Sequence, residues 1–273
     1  MSGKLFVVGT PIGNLGDFSP RAVEALEAVD FIAAEDTRVT LKLLNHFGIK
    51  KEMVSYFEHN KRERGEYILS RILDGESCAV VTDAGMPAIS DPGQDLVALC
   101  HENSVKVESV PGPTAFATAL AISGMDSGRF TFEGFLSVNK KSRREHLEEI
   151  KDEKRTMIFY EAPHKASNTL KDLYNTLGDR ELAIVREITK LHEEVIRTTL
   201  GEASARYADG GLKGELVLII EGKKESADAA VTLEEAVKMA EKLVEGGMSV
   251  NNAAKEIAAQ TPYKKNEIYR SLL

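Results

Sequence analysis

Residues 4–34 read KLFVVGTPIGNLGDFSPRAVEALEAVDFIAA, and this stretch decides the fold class. Lys4–Val8 is a short apolar run of strand-forming residues, ended by a glycine and a proline. Ser19-Pro20 then predicts the start of a helix, with the serine as its cap and the proline in its first turn. Phe31–Ala34 is a second apolar strand. A strand, loop, helix and strand in this order predict an α/β fold.

The same alternation continues along most of the chain. Gly124–Gly128 interrupts it and predicts a linker between two α/β lobes, residues 1–124 and 125–222, with largely parallel or mixed sheets. We expect Thr37 to cap the helix after the second strand and Gly48 to end it. The other predicted strands are Cys78–Val81, Val105–Val110, Phe130–Phe135, Met157–Tyr160, Leu182–Arg186, Glu194–Leu200 and Leu216–Ile220, and the other predicted helices are Gln94–His101, Thr114–Ile122, Arg143–Lys151 and Lys165–Leu177.

The last part of the chain has a different pattern. Lys223–Ala230 is polar and predicts a linker. Thr232-Leu233-Glu234-Glu235 is a capping-box signature for a helix. Ser249–Ala259 predicts a second helix and Lys264–Leu273 a third. We therefore expect a small helical domain, residues 231–273, that resembles a helix-turn-helix.

Composition limits the class of protein. The chain has 273 residues, of which 42% are hydrophobic and 29% charged, which is typical of a globular protein. Its net charge of -8 argues against a protein that coats nucleic acid non-specifically. No apolar run approaches the ~20 residues that a membrane span needs, and the N-terminus lacks a signal-peptide pattern, so we expect a cytoplasmic protein. Cys78 and Cys100 lie in separate apolar runs, so we expect neither a disulfide framework nor a metal site.

Four loops that follow predicted strands hold the candidate chemistry, because open α/β sheets bind ligands at the strand ends. The first loop has glycines at positions 9, 13 and 16, which do not match the G-x-G-x-x-G spacing of a dinucleotide site. Pro11 also removes a backbone N–H that a pyrophosphate would use. A nucleotide-binding oxidoreductase is therefore disfavoured. The four loops are Gly9–Gly16, Glu35–Arg38, Asp83–Gly93 and Pro111–Ala115.

The third and fourth loops point to the class of ligand. Asp83–Gly93 contains two carboxylates and no lysine or arginine, which suits an amine or sulfonium better than a polyphosphate. Pro111–Ala115 places backbone N–H groups at a helix N-terminus, where they can meet a carboxylate or an adenine edge. Each loop alone is also compatible with an ordinary turn or helix cap.

Read together, the four loops resemble the tetrapyrrole-methylase superfamily, and more narrowly its ribosomal RNA small-subunit cytidine 2′-O-methyltransferase branch. Three further segments fit the same branch, and the resemblance covers residues 4–222 in order. One departure is Lys165, where we would expect arginine; the charge is kept, but bidentate phosphate binding is lost. The further segments are Phe159–His164, Arg186–Glu194 and Gly214-Glu215.

The resemblance implies two α/β lobes with S-adenosylmethionine bound between them and Tyr160 closing over it. It also implies a homodimer whose methyl acceptor is a cytidine ribose in the decoding region of 16S ribosomal RNA, within the small subunit. No metal is expected. The implied donor-binding residues are Thr10, Pro11, Asp83, Ala84, Gly85, Met86, Pro87, Ile89, Ser90, Thr114, Ala115 and Tyr160.

Methyl transfer to a hydroxyl is an in-line displacement that needs an aligned oxygen and a route for the proton. Alignment can lower the barrier by ~7–11 kcal/mol, whereas a positioned base adds ~10²–10⁴-fold, so positioning should matter more. The base candidates, in order, are Asp36, Glu161 and His192, followed by His164 and Glu193. Each of them is also compatible with a role as ion-pair partner or helix cap.

Basic residues provide candidates for RNA contact. The run Lys140–Arg144 follows the first strand of the second lobe, and Lys61, Arg62 and Arg64 form another cluster. Phosphate contact by such clusters gives binding that weakens with salt, although a charge run is often only a solvated helix face. The candidate RNA-binding residues are Arg38, Lys140, Lys141, Arg143, Arg144, His164 and Lys165.

Two alternatives stay open. A methylase of a corrin or porphyrin precursor would share the donor loops, but the C-terminal helices and Glu161–His164 favour the RNA branch. A non-catalytic RNA-binding regulator would use the terminal helices, whose charge is roughly balanced, and this makes it the weaker alternative.

Overall fold

The computed structural model describes residues 3–224 and 231–273. They fall into two compact units that meet in sequence at Lys223 and Lys224. Most of the predicted linker Lys223–Ala230 lies outside the described residues. Within the described residues, no helix is both long and apolar enough to cross a membrane.

The first five strands are β1 (Lys4–Val8), β2 (Phe31–Ala34), β3 (Glu52–Ser55), β4 (Cys78–Val81) and β5 (Lys106–Val110). They form a parallel sheet in the order β3-β2-β4-β1-β5. Both faces are covered, so β2 and β4 are apolar at every position instead of alternating. Phe31 and Ala33 face one core, whereas Ile32 and Ala34 face the other. The helices are α1 (Pro20–Ala28), α2 (Thr37–His46), α3 (Lys61–Leu73), α4 (Gln94–Glu102) and α5 (Ala115–Ser123), and a short 3-10 turn spans Leu15–Asp17.

The second sheet consists of β6 (Phe130–Phe135), β7 (Thr156–Glu161), β8 (Glu181–Arg186), β9 (Glu194–Thr199) and β10 (Leu216–Ile220). It is mixed, in the order β6-β7-β10-β8-β9. β6 and β7 are parallel, and the remaining pairs are antiparallel. Three helices cover one face, and they are α6 (Lys140–Glu149), α7 (Ala166–Leu177) and α8 (Leu200–Arg206).

Helix α5 joins the two sheets. It precedes the Gly124–Gly128 segment in the chain, yet it packs on the open face of the second sheet. Ala119 and Leu120 are buried there against strands β7, β8 and β10. Because its residues are almost all apolar and mostly small, α5 can be enclosed on several sides. This helix therefore fixes the first sheet's loops beside the second sheet.

Some element boundaries differ from those expected. Asp36, not Thr37, caps α2, because the Asp36 carboxylate accepts the backbone N–H of Arg38 at 2.8 Å. Helix α6 begins at Lys140 because Asn139 accepts the N–H groups of the second and third helical residues. Strand β3 and helices α3 and α8 had not been predicted, since charged residues mask the apolar stripe of α3 and the other two are short.

The second unit consists of three helices, α9 (Leu233–Glu245), α10 (Val250–Gln260) and α11 (Lys265–Ser271). The predicted capping box is present: Thr232 and Glu235 each accept the other's backbone N–H. Ile257 and Ile268 pack with alanines of α9 and α10 in a small core. The short helical arrangement expected from the sequence is confirmed for these residues.

Candidate functional site

A cavity of about 320 Å³ lies between the carboxyl ends of the first sheet's strands and the second sheet. Its size is at the lower end of the ~300–1,000 Å³ typical of small-molecule sites. The lining from the first half of the unit is Ile12, Ala84, Gly85, Met86, Ile89, Ser90, Asp91, Thr114 and Ala115. The lining from the second half is Phe135, Tyr160, Glu161, Ala162, Pro163, Ile188, Glu215, Leu216 and Val217.

Backbone contacts hold the loops of the first half in place. Thr10 and Gly85 exchange backbone hydrogen bonds of 2.9 and 3.1 Å, and the Thr10 hydroxyl donates to the carbonyl of Thr82 at 3.0 Å. A Cβ at Gly112 would lie 2.8 Å from the backbone of Gly9, so the loops after β1 and β5 touch main chain to main chain. These contacts fix the position of the Gly85 loop, which lines the cavity, and the close approach of the two backbones explains glycine at positions 9 and 112.

Tyr160 links the second sheet to α5. Its hydroxyl accepts the backbone N–H of Phe116 at 3.0 Å. Its ring lies 5.0 Å from the ring of Phe132 and 5.5 Å from that of Phe135, centroid to centroid. Burial raises the pKa of the Tyr160 phenol, so the group stays protonated at neutral pH and acts as a fixed neutral wall.

Three carboxylates line the cavity, and none of the lining residues is a lysine or an arginine. Glu161 is buried and accepts the N–H of Ala162 at 2.7 Å and the hydroxyl of Thr169. Glu215 is paired with Lys190 at 3.1 Å. Asp91 makes no ion pair with any described residue, and burial, followed by repulsion from Asp83, raises its pKa. The cavity is therefore apolar with excess negative charge.

The other predicted acid–base groups lie outside this lining. Hydrogen bonds from the Arg38 guanidinium lower the pKa of Asp36 to about 2, which makes its carboxylate a weak proton acceptor. His164 and His192 are exposed on the surface. Glu193 is exposed as well and accepts the backbone N–H of Thr189 at 2.6 Å.

The predicted basic residues separate into two groups. Lys140, Lys141 and Arg144 are exposed on α6. The guanidinium of Arg143 instead donates to Asp172 at 2.7 Å and to the hydroxyl of Thr169 at 2.9 Å. Arg143 is thereby linked through Thr169 to Glu161. None of the predicted cations lines the cavity. Of the others, Arg38 is paired with Asp36 and Lys165 is exposed; in the second basic cluster Lys61 is paired with Glu58 and Asp95.

The cavity brings together most of the predicted donor-binding residues. Thr10, Pro11, Asp83 and Pro87 do not line it; Thr10 supports the Gly85 loop, and Asp83 accepts the N–H of Asp36 at 3.2 Å. Asp91 had not been singled out, although it lies within the Asp83–Gly93 loop. The remaining unpredicted lining residues come from five strands or loops distant in sequence, and they are Ile12, Phe135, Ala162, Pro163, Ile188, Glu215, Leu216 and Val217.

Solved structures share this architecture. Uroporphyrin-III-C-methyltransferase from Thermus thermophilus superposes with a TM-score of 0.57 at 16% identity, covering 80% of this chain and 94% of that one. A cobalt precorrin-4 methyltransferase superposes with a TM-score of 0.59 at 20% identity, covering 80% and 94%. A diphthine synthase has a TM-score of 0.59 at 14% identity, covering 81% and 90%. At such low identity these likenesses establish the fold alone.

Sequence comparison is more specific. The family model for Tetrapyrrole (Corrin/Porphyrin) Methylases matches residues 4–204. Ribosomal RNA small subunit methyltransferase I of Synechocystis sp. is 44% identical over 269 residues, covering 98% of this chain and 96% of the relative. Its counterpart of the same name in Escherichia coli O157:H7 is 41% identical over 279 residues, covering 99% and 95%. The Thermotoga maritima counterpart is 45% identical over 222 residues, covering 81% of this chain and 100% of that relative. The chain therefore belongs to the tetrapyrrole (corrin/porphyrin) methylase family.

Proposed function

We propose that this protein transfers a methyl group from S-adenosylmethionine to a cytidine ribose 2′-hydroxyl in the decoding region of 16S ribosomal RNA. The observation that carries the methyltransferase part is the cavity, which is apolar, holds three carboxylates and has no lysine or arginine in its lining. Relatives named ribosomal RNA small subunit methyltransferase I, at 41–45% identity, support the choice of acceptor.

The chemistry of the lining fits the donor. S-adenosylmethionine supplies an electrophilic methyl group on a positively charged sulfur, and it also carries an ammonium group. Asp91 provides uncompensated negative charge for such a cation. Ile12, Met86 and Ile188 provide apolar surface for the uncharged parts of the molecule. Thr114 and Ala115 place the N-terminus of α5 at the cavity, where backbone N–H groups favour a carboxylate.

The protein's contribution to the reaction is mainly to position the acceptor oxygen behind the methyl carbon and to exclude water. Of the three base candidates, Glu161 is the one that lines the cavity, so we rank it ahead of Asp36 and His192. Thr169 and the N–H of Ala162 hold the Glu161 carboxylate in one orientation. We also propose that exposed Lys140, Lys141 and Arg144 contact RNA phosphates.

The wider organisation follows from the same proposal. We propose three domains, residues 1–124, 125–222 and 231–273, and a cytoplasmic homodimer that acts on the small ribosomal subunit. A corrin or porphyrin acceptor is the weaker alternative. The relative named as a ribosomal RNA methyltransferase aligns with nearly the whole chain at 44% identity, whereas the solved methyltransferases of uroporphyrin and precorrin are only 16% and 20% identical. Sedimentation of the purified protein tests the dimer independently of activity.

The decisive experiment incubates the protein with methyl-labelled S-adenosylmethionine and one of three acceptors: small ribosomal subunits, naked 16S RNA or a porphyrinogen. We expect label on the small subunits, and nuclease mapping should place it on a cytidine ribose. A reaction saturated with S-adenosylhomocysteine is the control and should show no label. Label that appears only on the porphyrinogen would overturn the RNA assignment, and the absence of label everywhere would overturn the methyltransferase assignment.

A further inference from the structure

Phe135 is unusually open for a large aromatic side chain in a cavity wall. It ends β6, lines the cavity and is 59% exposed. Burial of an aromatic ring stabilises a fold, so an exposed ring forgoes stabilisation that the core could have gained. Its ring also makes an edge-on contact with Tyr160, with the centroids 5.5 Å apart. One side of Phe135 is therefore supported while much of the ring remains available.

An irregularity in β6 determines where Phe135 points. Phe132 pairs with Ile158, but Gly134 pairs with Phe159, so Glu133 is an extra residue in the strand. Such a β-bulge moves every later side chain to the opposite face of the sheet. Phe135 consequently shares the cavity face with Tyr160, its partner in register. Without the bulge it would face the side on which Phe159 is buried beneath α6 and α7.

The bulge is held on both sides. Gly134 has a φ of +63°, a conformation that other residues adopt only with strain. Glu133 Oε2 lies 2.9 Å from Nε2 of His146 on α6, and this contact holds the extra residue on the helical face. Leu136, the next residue after Phe135, is buried in the core under the helices. The orientation of Phe135 is thus specified by its neighbours on both sides.

The chain that follows Phe135 leads directly to exposed positive charge. Helix α6 begins at Lys140, and both Lys140 and Lys141 are exposed. Lys140 is five positions after Phe135, which limits the distance between their Cα atoms to about 18 Å. An open aromatic ring beside lysines that can meet phosphates is the combination with which proteins bind single-stranded nucleic acid.

We infer that Phe135 is a stacking platform for an unpaired nucleobase of the RNA substrate, and that the Glu133–Gly134 bulge aims the ring for this purpose. The inference rests on the proposed function. Proteins that recognise single-stranded RNA stack its unpaired bases on exposed aromatic side chains. Stacking the base fixes the attached ribose through the glycosidic bond and so positions its hydroxyl at the cavity.

The test compares variants that differ in the aromatic face alone. Phe135→Leu keeps an apolar side chain but removes the ring, whereas Phe135→Tyr and Phe135→Trp keep a ring. We expect Phe135→Leu to raise the small-subunit concentration for half-maximal methyl transfer at least tenfold, and Phe135→Tyr and Phe135→Trp to stay within threefold of the unmodified protein. Phe130→Leu, on the same strand but outside the cavity lining, is the matched control and should have no effect.

Two further measurements make the outcome unambiguous. The affinity of each variant for S-adenosylhomocysteine, measured by calorimetry, should stay within twofold, and the melting temperature should not fall. Gly134→Ala should reproduce the effect of Phe135→Leu, because it strains the bulge that aims the ring.

If Phe135→Leu needs the same small-subunit concentration for half-maximal methyl transfer as the unmodified protein, the stacking inference is overturned and the proposed function remains intact. A tenfold loss of S-adenosylhomocysteine affinity would overturn it as well, since the ring would then belong to the donor site. If the unmodified protein binds the donor but methylates no ribosomal RNA, the proposed function fails, and the inference fails with it.

Discussion

Asp91 carries an electrostatic penalty that the described fold does not offset. It is half-buried, lines the cavity and has no ion-pair partner among the described residues. Burial raises its pKa above the ordinary value of 3.8. A carboxylic acid whose pKa is raised by folding stabilises the folded state below its unfolded pKa, and this contribution is lost as pH rises through the folded pKa. Ionisation of Asp91 as the pH rises therefore destabilises the unliganded protein.

Asp91→Asn should separate stability from donor binding. Removing the buried charge should raise the melting temperature at pH 7 by about 1–3 °C, and the gain should disappear near pH 4. The same change should weaken S-adenosylmethionine binding at least tenfold, because the cation loses its counter-charge. Scanning calorimetry across pH and titration calorimetry with the donor measure the two effects.

Asp209→Asn is the matched control for Asp91→Asn, since Asp209 is an exposed acid outside the cavity lining. It should change neither quantity. Unchanged donor affinity in Asp91→Asn would show that this carboxylate does not face the donor's positive charge.

Asp36 has a structural role, so its replacement should affect stability more than activity. Its carboxylate caps α2 and is paired with Arg38. Asp36→Ala should lower the melting temperature by roughly 2–4 °C through loss of the cap. Single-turnover methyl transfer at saturating donor should fall less than tenfold. Asp36→Asn keeps a capping side chain and should preserve both the melting temperature and the activity. If Asp36→Ala instead lost a hundredfold or more in activity with the fold intact, Asp36 would again be the leading candidate for the base.

At the scale of the element, α6 divides its cations by the face on which they lie. Arg143 points toward α7, where it contacts Thr169 and Asp172, whereas Lys140, Lys141 and Arg144 remain exposed. Arg143 and Arg144 are adjacent in sequence, but the helical period places them on different faces of α6, so that Arg144 alone of the two is exposed to solvent. The predicted basic run therefore contains three exposed cations and one arginine that is bound to α7.

Replacing Lys140, Lys141 and Arg144 with alanine should weaken small-subunit binding without changing donor affinity. If all three contact phosphates, the slope of log affinity against log salt should become shallower by about 2. Binding measured over a salt series tests this. Arg143→Ala should instead lower the melting temperature and leave the salt slope unchanged; identical slopes for the triple variant and the unmodified protein would contradict RNA contact by this helix.

At the scale of the whole molecule, the first unit contains every residue that lines the cavity. The Thermotoga maritima relative aligns over its full length across 222 residues, which is close to the length of this unit. The second unit has a core of its own, formed by residues such as Ala240, Ile257 and Ile268. The two units therefore have separate cores, and the family includes a chain of about the size of the first.

A chain ending at Lys223 should fold and bind S-adenosylhomocysteine with an affinity within twofold of the full chain. The physical reason is that no cavity residue and no core residue of the first unit is removed. Circular dichroism and calorimetry measure folding and binding. A truncated chain that folds but loses the ligand would show that the second unit contributes to the donor site.

Much of the fold could be predicted from local sequence because its signals are local. The buried strands of the first sheet are continuous apolar runs, and Ser19-Pro20 and Thr232–Glu235 start helices through contacts within a few residues. Helix α3 was missed because its buried stripe is interrupted by charged residues. The composition of the Asp83–Gly93 loop marked it as a candidate ligand site, and the resemblance to a methylase family supplied the ligand that we propose for it.

The sequence by itself determined the alternating α/β elements, the loops at their ends and the acidic character of the Asp83–Gly93 loop, because these depend on neighbouring residues. The tertiary structure alone decided which residues share the cavity: α5 packs on the second sheet, and a bulge turns Phe135 toward Tyr160. It also decided that Arg143 contacts Asp172 and Thr169 on α7 instead of facing solvent. Such pairings depend on strand order, register and backbone direction, which bring together residues far apart in the chain.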